Sequence, residues 1–171
     1  MTRILHTVID ICLLRAGPQD LPGSSAVFGP TLAAYACTSW LVAAIELGGT
    51  NALWLAVADV VMLIVLVHFV LLVRNFPHRQ LQTLTALMAC GALFGAIGWI
   101  LLLWRDGVGD EIEALVLPTL LLMTLTLWNL IVTGHILRHA LSTSLFNGIL
   151  LSILYMLISL TIYETVFTPP A

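Results

Sequence analysis

The chain has 171 residues, of which 60% are hydrophobic and 9% charged, with a formal net charge of −3 at pH 7. A soluble domain carries roughly 25% charged residues, so a mean hydropathy of +1.07 excludes a water-exposed globule and describes an integral membrane protein. All six basic residues are arginine and none lie in a run, which removes the electrostatic footprint that nucleic-acid binding requires.

Residues 3–15 (RILHTVIDICLLR) are apolar at Ile4, Leu5, Val8, Ile9, Ile11, Cys12, Leu13 and Leu14, interrupted by Arg3, His6, Thr7 and Asp10. The run is too short and too charged to span a bilayer and predicts a cytoplasmic amphipathic helix lying at the interface. His6 and Asp10 break the apolar core that a signal peptide needs, and no small-residue cleavage site follows. Gly17-Pro18 and Pro22-Gly23-Ser24-Ser25 then turn the chain, so residues 1–26 read as helix and linker ahead of one membrane domain over 27–171.

That domain predicts an all-α fold with five transmembrane helices, because spans of about 20 residues and short loops take up nearly all of it. The first span covers about 27–47, with Pro30 near its first turn; Gly48–Asn51 then make a tight turn. The second covers about 52–73 and carries Asp59 and His68, and a polar loop follows at 74–82. The third, about 83–104, holds Gly91, Gly95 and Gly98 among alanines, a small-residue pattern that invites close helix packing. An acidic loop at 105–112 precedes the fourth span, about 113–137, which contains Pro118. A short connection at 138–143 leads to the fifth, about 144–166, and Thr168–Ala171 ends the sequence.

With five spans, Arg3, Arg15, Arg74, Arg79 and Arg138 fall on one side and Arg105 alone on the other. The positive-inside rule therefore predicts a cytoplasmic N-terminus and an outer C-terminus. Cys12, Cys37 and Cys90 have no CxxC spacing and read as small buried hydrophobes.

The densest polar content at membrane depth is WNLIVTGHILRH, Trp128–His139. His135, Arg138 and His139 share one helical face through i,i+3 and i,i+4 spacing, with Trp128 above them. Asn129 lies about 120° away from His135 and faces another neighbour, and Gly134 removes a side chain where a backbone could approach. Arg138 and His139 fit a helix end whose polar groups reach headgroups. The same residues also compose a candidate binding site, and the His135/His139 spacing suits two metal ligands, although no carboxylate lies near to complete a metal set. On the second span, Asp59 lies about 10 Å inside the outer edge. A carboxylate at that depth costs about 2–3 kcal/mol unless neutral or paired, through hydrogen bonds or by reaching toward Arg105. His68, nine positions later, faces away from Asp59 and lies level with His135 and Asn129, which it meets only if the second and fourth spans touch.

The five-span layout behind a cytoplasmic amphipathic N-terminus resembles the Yip-type membrane family and its bacterial relatives. LLRAGPQDLPGSS (Leu13–Ser25) and WNLIVTGHILRHAL (Trp128–Leu141) look like segments of small proteobacterial inner-membrane proteins of this type. The resemblance implies a location in the bacterial inner (plasma) membrane and partner binding. It brings no catalytic residue and no cofactor. The sequence thus predicts a non-enzymatic protein acting as a scaffold or accessory subunit, packing with itself or a membrane-protein partner. A small oligomeric transporter using Asp59, His68, Asn129 and His135, or a membrane enzyme using His135 and His139, are the competing expectations.

Overall fold

A computed structural model describes residues 2–109 and 111–167. Met1, Asp110 of the acidic loop and Thr168–Ala171 lie outside the described residues. The described chain is all-helical: α1 (Thr2–Cys12), α2 (Ser25–Leu47), α3 (Gly49–Val73), α4 (Gln80–Gly107), α5 (Ile112–Leu141) and α6 (Leu145–Ile162). Short 3-10 turns occupy Pro18–Asp20 and Pro77–Arg79, and a π-helical turn, Tyr163–Phe167, extends α6. The five helices after α1 are each long and apolar enough to cross a membrane.

Four of the five spanning helices run further than hydropathy alone predicts, because local capping decides where they start and stop, while α6 starts one residue later and gives way to the π-helical turn after Ile162. Ser24 starts α2 two residues before the expected span by accepting from the Ala26 amide. Pro30 consequently sits in the second turn of α2, not its first. The tight turn at 48–51 shrinks to Gly48, whose φ of +72° suits a residue without Cβ, and α3 begins at Gly49. The 74–82 loop contracts to a left-handed Asn75 (φ 60°) and the Pro77–Arg79 turn. At the fourth span, Arg138 and His139 lie inside α5, which Ser142 closes in the left-handed conformation (φ 51°).

Packing runs around a ring. The extensive pairings are α3 on α2, α2 on α4, α4 on α5 and α5 on α6, while α3 and α6 close the ring loosely. Small residues set the close crossings. A Cβ on Gly91 would lie 2.6 Å from the Tyr35 ring, and one on Gly95 3.0 Å from the Thr38 side chain, so both glycines receive α2. Gly98 faces Leu125 of α5 more loosely. The tightest crossing joins α5 and α6. A Cβ on Gly134 would reach within 2.8 Å of the Ile149 amide nitrogen, and one on Gly148 would collide with the Gly134 carbonyl oxygen.

The fully buried core gathers at one end, where α1 docks through Val8, Ile11 and Cys12 beside Met88, Cys90, Val132 and Ile136. Here Cys12 and Cys90 are the buried small hydrophobes their surroundings imply. Cys37 departs from that expectation: it is exposed on the outer face of α2, because Tyr35 and Thr38 supply the side of the helix that meets α4.

Candidate functional site

The interior polar site is built on Asp59. It stands near the middle of α3, about 15 Å along the helix from its start, and both its oxygens are engaged. The Tyr35 hydroxyl of α2 donates to Oδ2 at 2.5 Å, and the Tyr155 hydroxyl of α6 donates to Oδ1 at 2.6 Å. Asp59 is therefore satisfied by hydrogen bonds and not by Arg105, which pairs instead with Glu46 at 3.7 Å. No cation reaches Asp59 among the described residues. The two phenols bridge three helices at the seam where α3 and α6 otherwise pack loosely.

Around this carboxylate the ring of helices is hollow. A central cavity of about 320 Å³ is lined by residues of all five spanning helices, including Tyr35, Phe94, Asn129, Thr133 and Tyr155. A second cavity of about 360 Å³ has Asp59 in its wall together with Ser39, Ser159, Glu46 and Tyr163, beside apolar Val42, Leu55 and Leu102. The two share Ser39, Val42 and Leu102. A third space of about 190 Å³ shares Thr126, Asn129, Thr133 and Tyr155 with the central one. The system runs from Asn129 at mid-depth past Asp59 to Glu46, where the Tyr163 hydroxyl and Arg105 hold the rim.

Asn129 and His135 part company, as their angular separation on α5 predicts. Asn129 faces the cavity, while His135 faces the N-terminal segment. His135 is 2% exposed, so it does not reach headgroups at all. Its Nε2–H donates to the Ala16 carbonyl at 2.9 Å, and the acceptor identifies the nitrogen carrying the proton. Trp128 donates to the Cys12 carbonyl at 3.0 Å, and Gln82 of α4 donates to the Leu21 carbonyl at 3.0 Å. Leu13–Ser25 and Trp128–Leu141 are thus partners in space. The linker folds around its own turn, with the Gly17 amide donating to the Asp20 carboxylate at 2.8 Å. Inside α1, the neighbouring Cys90 thiol holds the Cys12 thiol below its ordinary pKa, against the opposing effect of burial.

His68 belongs to neither group. It is exposed on α3 and its Nδ1 meets Gln80 Oε1 at 2.9 Å; α3 and α5 touch too sparingly to bring it to His135. The His135 and His139 rings stack edge to face with centroids 4.7 Å apart, and no set of three potential metal ligands forms among the described residues. Arg138 Nη2 lies 3.4 Å from His139 Nε2, while its Nε is buried without a partner. His135 is a buried donor to the N-terminal segment and not part of a solvated helix end. His135→Leu should destabilise the protein by about 1 kcal/mol and expose the Leu13–Ser25 segment to protease. Combined with His68→Leu, the effects should add within about 0.5 kcal/mol, as thermal unfolding in detergent would measure. A larger coupling would mean that the two histidines communicate.

Sequence reasoning missed Tyr35 and Tyr155. Tyrosine is expected in the belts at membrane interfaces, and both of these fall near the middle of their helices. A phenol at that depth needs an acceptor, and Asp59 is the one carboxylate near mid-span. That pairing was readable. No protein-family model matches the chain, and no curated protein or solved structure is significantly similar to it.

Proposed function

We propose that this chain is a non-enzymatic transporter that takes a small amphipathic organic cation into its intramembrane cavity. The observation that carries the reading is a carboxylate held between two phenols, with no cation against it among the described residues, in the wall of a cavity that mixes apolar groups with Ser39, Ser159, Glu46 and Tyr163. Ligand pockets of about 300–1,000 Å³ combine apolar walls with a few fixed polar groups, and the two larger cavities, of about 320 and 360 Å³, fall at the lower end of that range. Tyr35, Tyr155 and Phe94 supply aromatic rings to the central space, a surface that attracts ammonium groups. The histidine pair, the basis of an enzymatic alternative, lies outside this cavity and is engaged by Ala16 and by ring stacking.

The arginine distribution supports a cytoplasmic N-terminus, with α1 at the inner interface and the Asp59 cavity nearer the outer face of a bacterial inner membrane. A reporter fused after Arg79 should read cytoplasmic and one after Thr50 periplasmic; the reverse pattern would invert the direction of access. The accessory-subunit reading drew on the small residues of α4, the short loops and the lack of a recognisable catalytic site. Gly91 and Gly95 are occupied by α2 of the same chain, which leaves them little to offer a partner.

The test is titration of the detergent-purified full chain with benzyltrimethylammonium, with benzyl alcohol as the uncharged comparison. Saturable binding of the cation and none of the alcohol is expected. Equal behaviour of the two probes would overturn the reading. Co-purification of a stoichiometric membrane protein without cation binding would favour the accessory role.

A further inference from the structure

The opposite end of the molecule carries a different unbalanced charge. Arg3, Arg15, Arg74, Arg79 and Arg138 all belong to it, while the ion pair Arg105–Glu46 lies at the far end. Asp10 and Asp20 are the only acids on this side, and the Asp20 carboxylate accepts the Gly17 amide. Between the Pro18–Asp20 turn, the start of α4 and the end of α5 lies a cavity of about 220 Å³, lined by Gln19, Arg79, Gln82, Thr83, His139 and Ser142. Its walls are mainly polar, unlike the interior cavities.

Arg79 is fixed in this wall. Its Nη1 donates to the His139 and Ala140 carbonyls at 3.2 and 3.1 Å and to Ser142 Oγ at 2.9 Å, and its guanidinium stacks over Phe76 at 4.3 Å. Those bonds cap α5 and hold the side chain in one place, while Nη2 and Nε keep donors that no described residue accepts. A guanidinium fixed on one edge presents its other edge as a ready two-donor fork for a tetrahedral oxyanion. Gln19, Gln82, Thr83 and His139 add neutral or switchable hydrogen-bonding groups around it. The cavity opens where helices end, beside α1, at the level where phospholipid phosphates would lie.

We infer that this cavity is a binding site for a phosphate group not already paired with a cation, with Arg79 as its principal ligand and Gln82 and His139 beside it. Basic pockets between spanning helices on the positive side of a membrane protein are suited to anionic headgroups. Arg79, which has no carboxylate partner among the described residues, then finds its counter-charge in phosphate. The N-terminal turn forms one wall of the cavity, so an occupied site also pins Leu13–Ser25 against α4 and α5. This inference is independent of the cation reading, because the two sites share no residue.

The test uses delipidated full-length protein in dodecylmaltoside, titrated separately with dioctanoyl phosphatidylglycerol, dioctanoyl phosphatidylcholine and inorganic phosphate. Native mass spectrometry counts the bound molecules, and the thermal midpoint reports stabilisation. Phosphatidylglycerol is expected to bind one-to-one and raise the midpoint, with phosphatidylcholine at least tenfold weaker. If inorganic phosphate reproduces the effect, the site is supported and the free anion is sufficient. If only the lipid does, the site is supported as a headgroup site. Arg79→Gln should weaken phosphatidylglycerol by at least tenfold. Because that variant also uncaps α5, His139→Leu provides a second measure and should weaken binding several-fold while leaving the lipid-free midpoint close to wild type. No binding of either anion, or equal binding of both lipids, would overturn the assignment.

Discussion

Gly148→Ala is expected to destabilise the protein by about 3 kcal/mol, the upper part of the range for overpacking a tight interior. A single methyl at this position would collide with the Gly134 carbonyl oxygen, and the next nearest atoms, the Gly134 carbonyl carbon and the Arg138 amide nitrogen, are backbone too. No rotamer change relieves such a contact, so α5 and α6 must separate along their length. Gly95→Leu should also destabilise, since its neighbour Thr38 lies 3.0 Å from the added Cβ, but part of that strain falls on a side chain able to move. Gly29→Ala is the control, with nothing within 4 Å of its added Cβ. Thermal unfolding in mild detergent would rank the three. A Gly148→Ala midpoint equal to that of Gly29→Ala would mean that α5 and α6 do not cross as closely as described.

The contrast between Gly148 and the α4 glycines explains what the sequence could reveal. Gly91, Gly95 and Gly98 announce themselves by repetition on one helix, and two of them receive α2. Gly148 is alone on α6, and its partner Gly134 stands 14 residues earlier on another helix. Sequence spacing reports neighbours within a helix, while a crossing between helices depends on a register that the sequence does not display. The same limit applied to His68 and His135. Both were placed at similar depth from residue counts, but depth says nothing about azimuth, and the sparse contact between α3 and α5 keeps them apart.

The helices themselves were legible because stretches of about 20 predominantly apolar residues have few other solutions. Their ends were less so. Ser24 and the left-handed Ser142 let α2 and α5 run into stretches that look polar enough for loops, and α3 and α4 likewise begin before their apolar runs. The candidate site divided along similar lines. Asp59 stood out because a carboxylate in hydrocarbon is costly. Tyr35 and Tyr155 did not, because tyrosine is cheap at an interface and only its depth makes it informative.

Asp59→Asn is expected to weaken benzyltrimethylammonium binding by about 100-fold, roughly 2.7 kcal/mol, with little loss of fold. The amide is nearly isosteric and still offers each phenol a hydrogen-bonding partner, so the three-helix bridge survives while the charge that attracts an ammonium disappears. The tyrosines should respond in the opposite sense. Tyr35→Phe or Tyr155→Phe removes a donor from a carboxylate oxygen in a low-dielectric site, and each should destabilise by about 1–3 kcal/mol. Since both phenols hold one carboxylate, their double variant should depart from additivity by about 0.5 kcal/mol or more, whereas each retains the charge and therefore some affinity for the cation. The two families of variants thus separate the bridge from the binding site. Unchanged cation affinity in Asp59→Asn would remove the carboxylate from recognition, and strictly additive tyrosine effects would mean that Tyr35 and Tyr155 do not act on a shared group. A carboxylate needed for binding but not for folding, beside phenols needed for folding more than binding, is the pattern that a ligand site wedged into a helix seam requires.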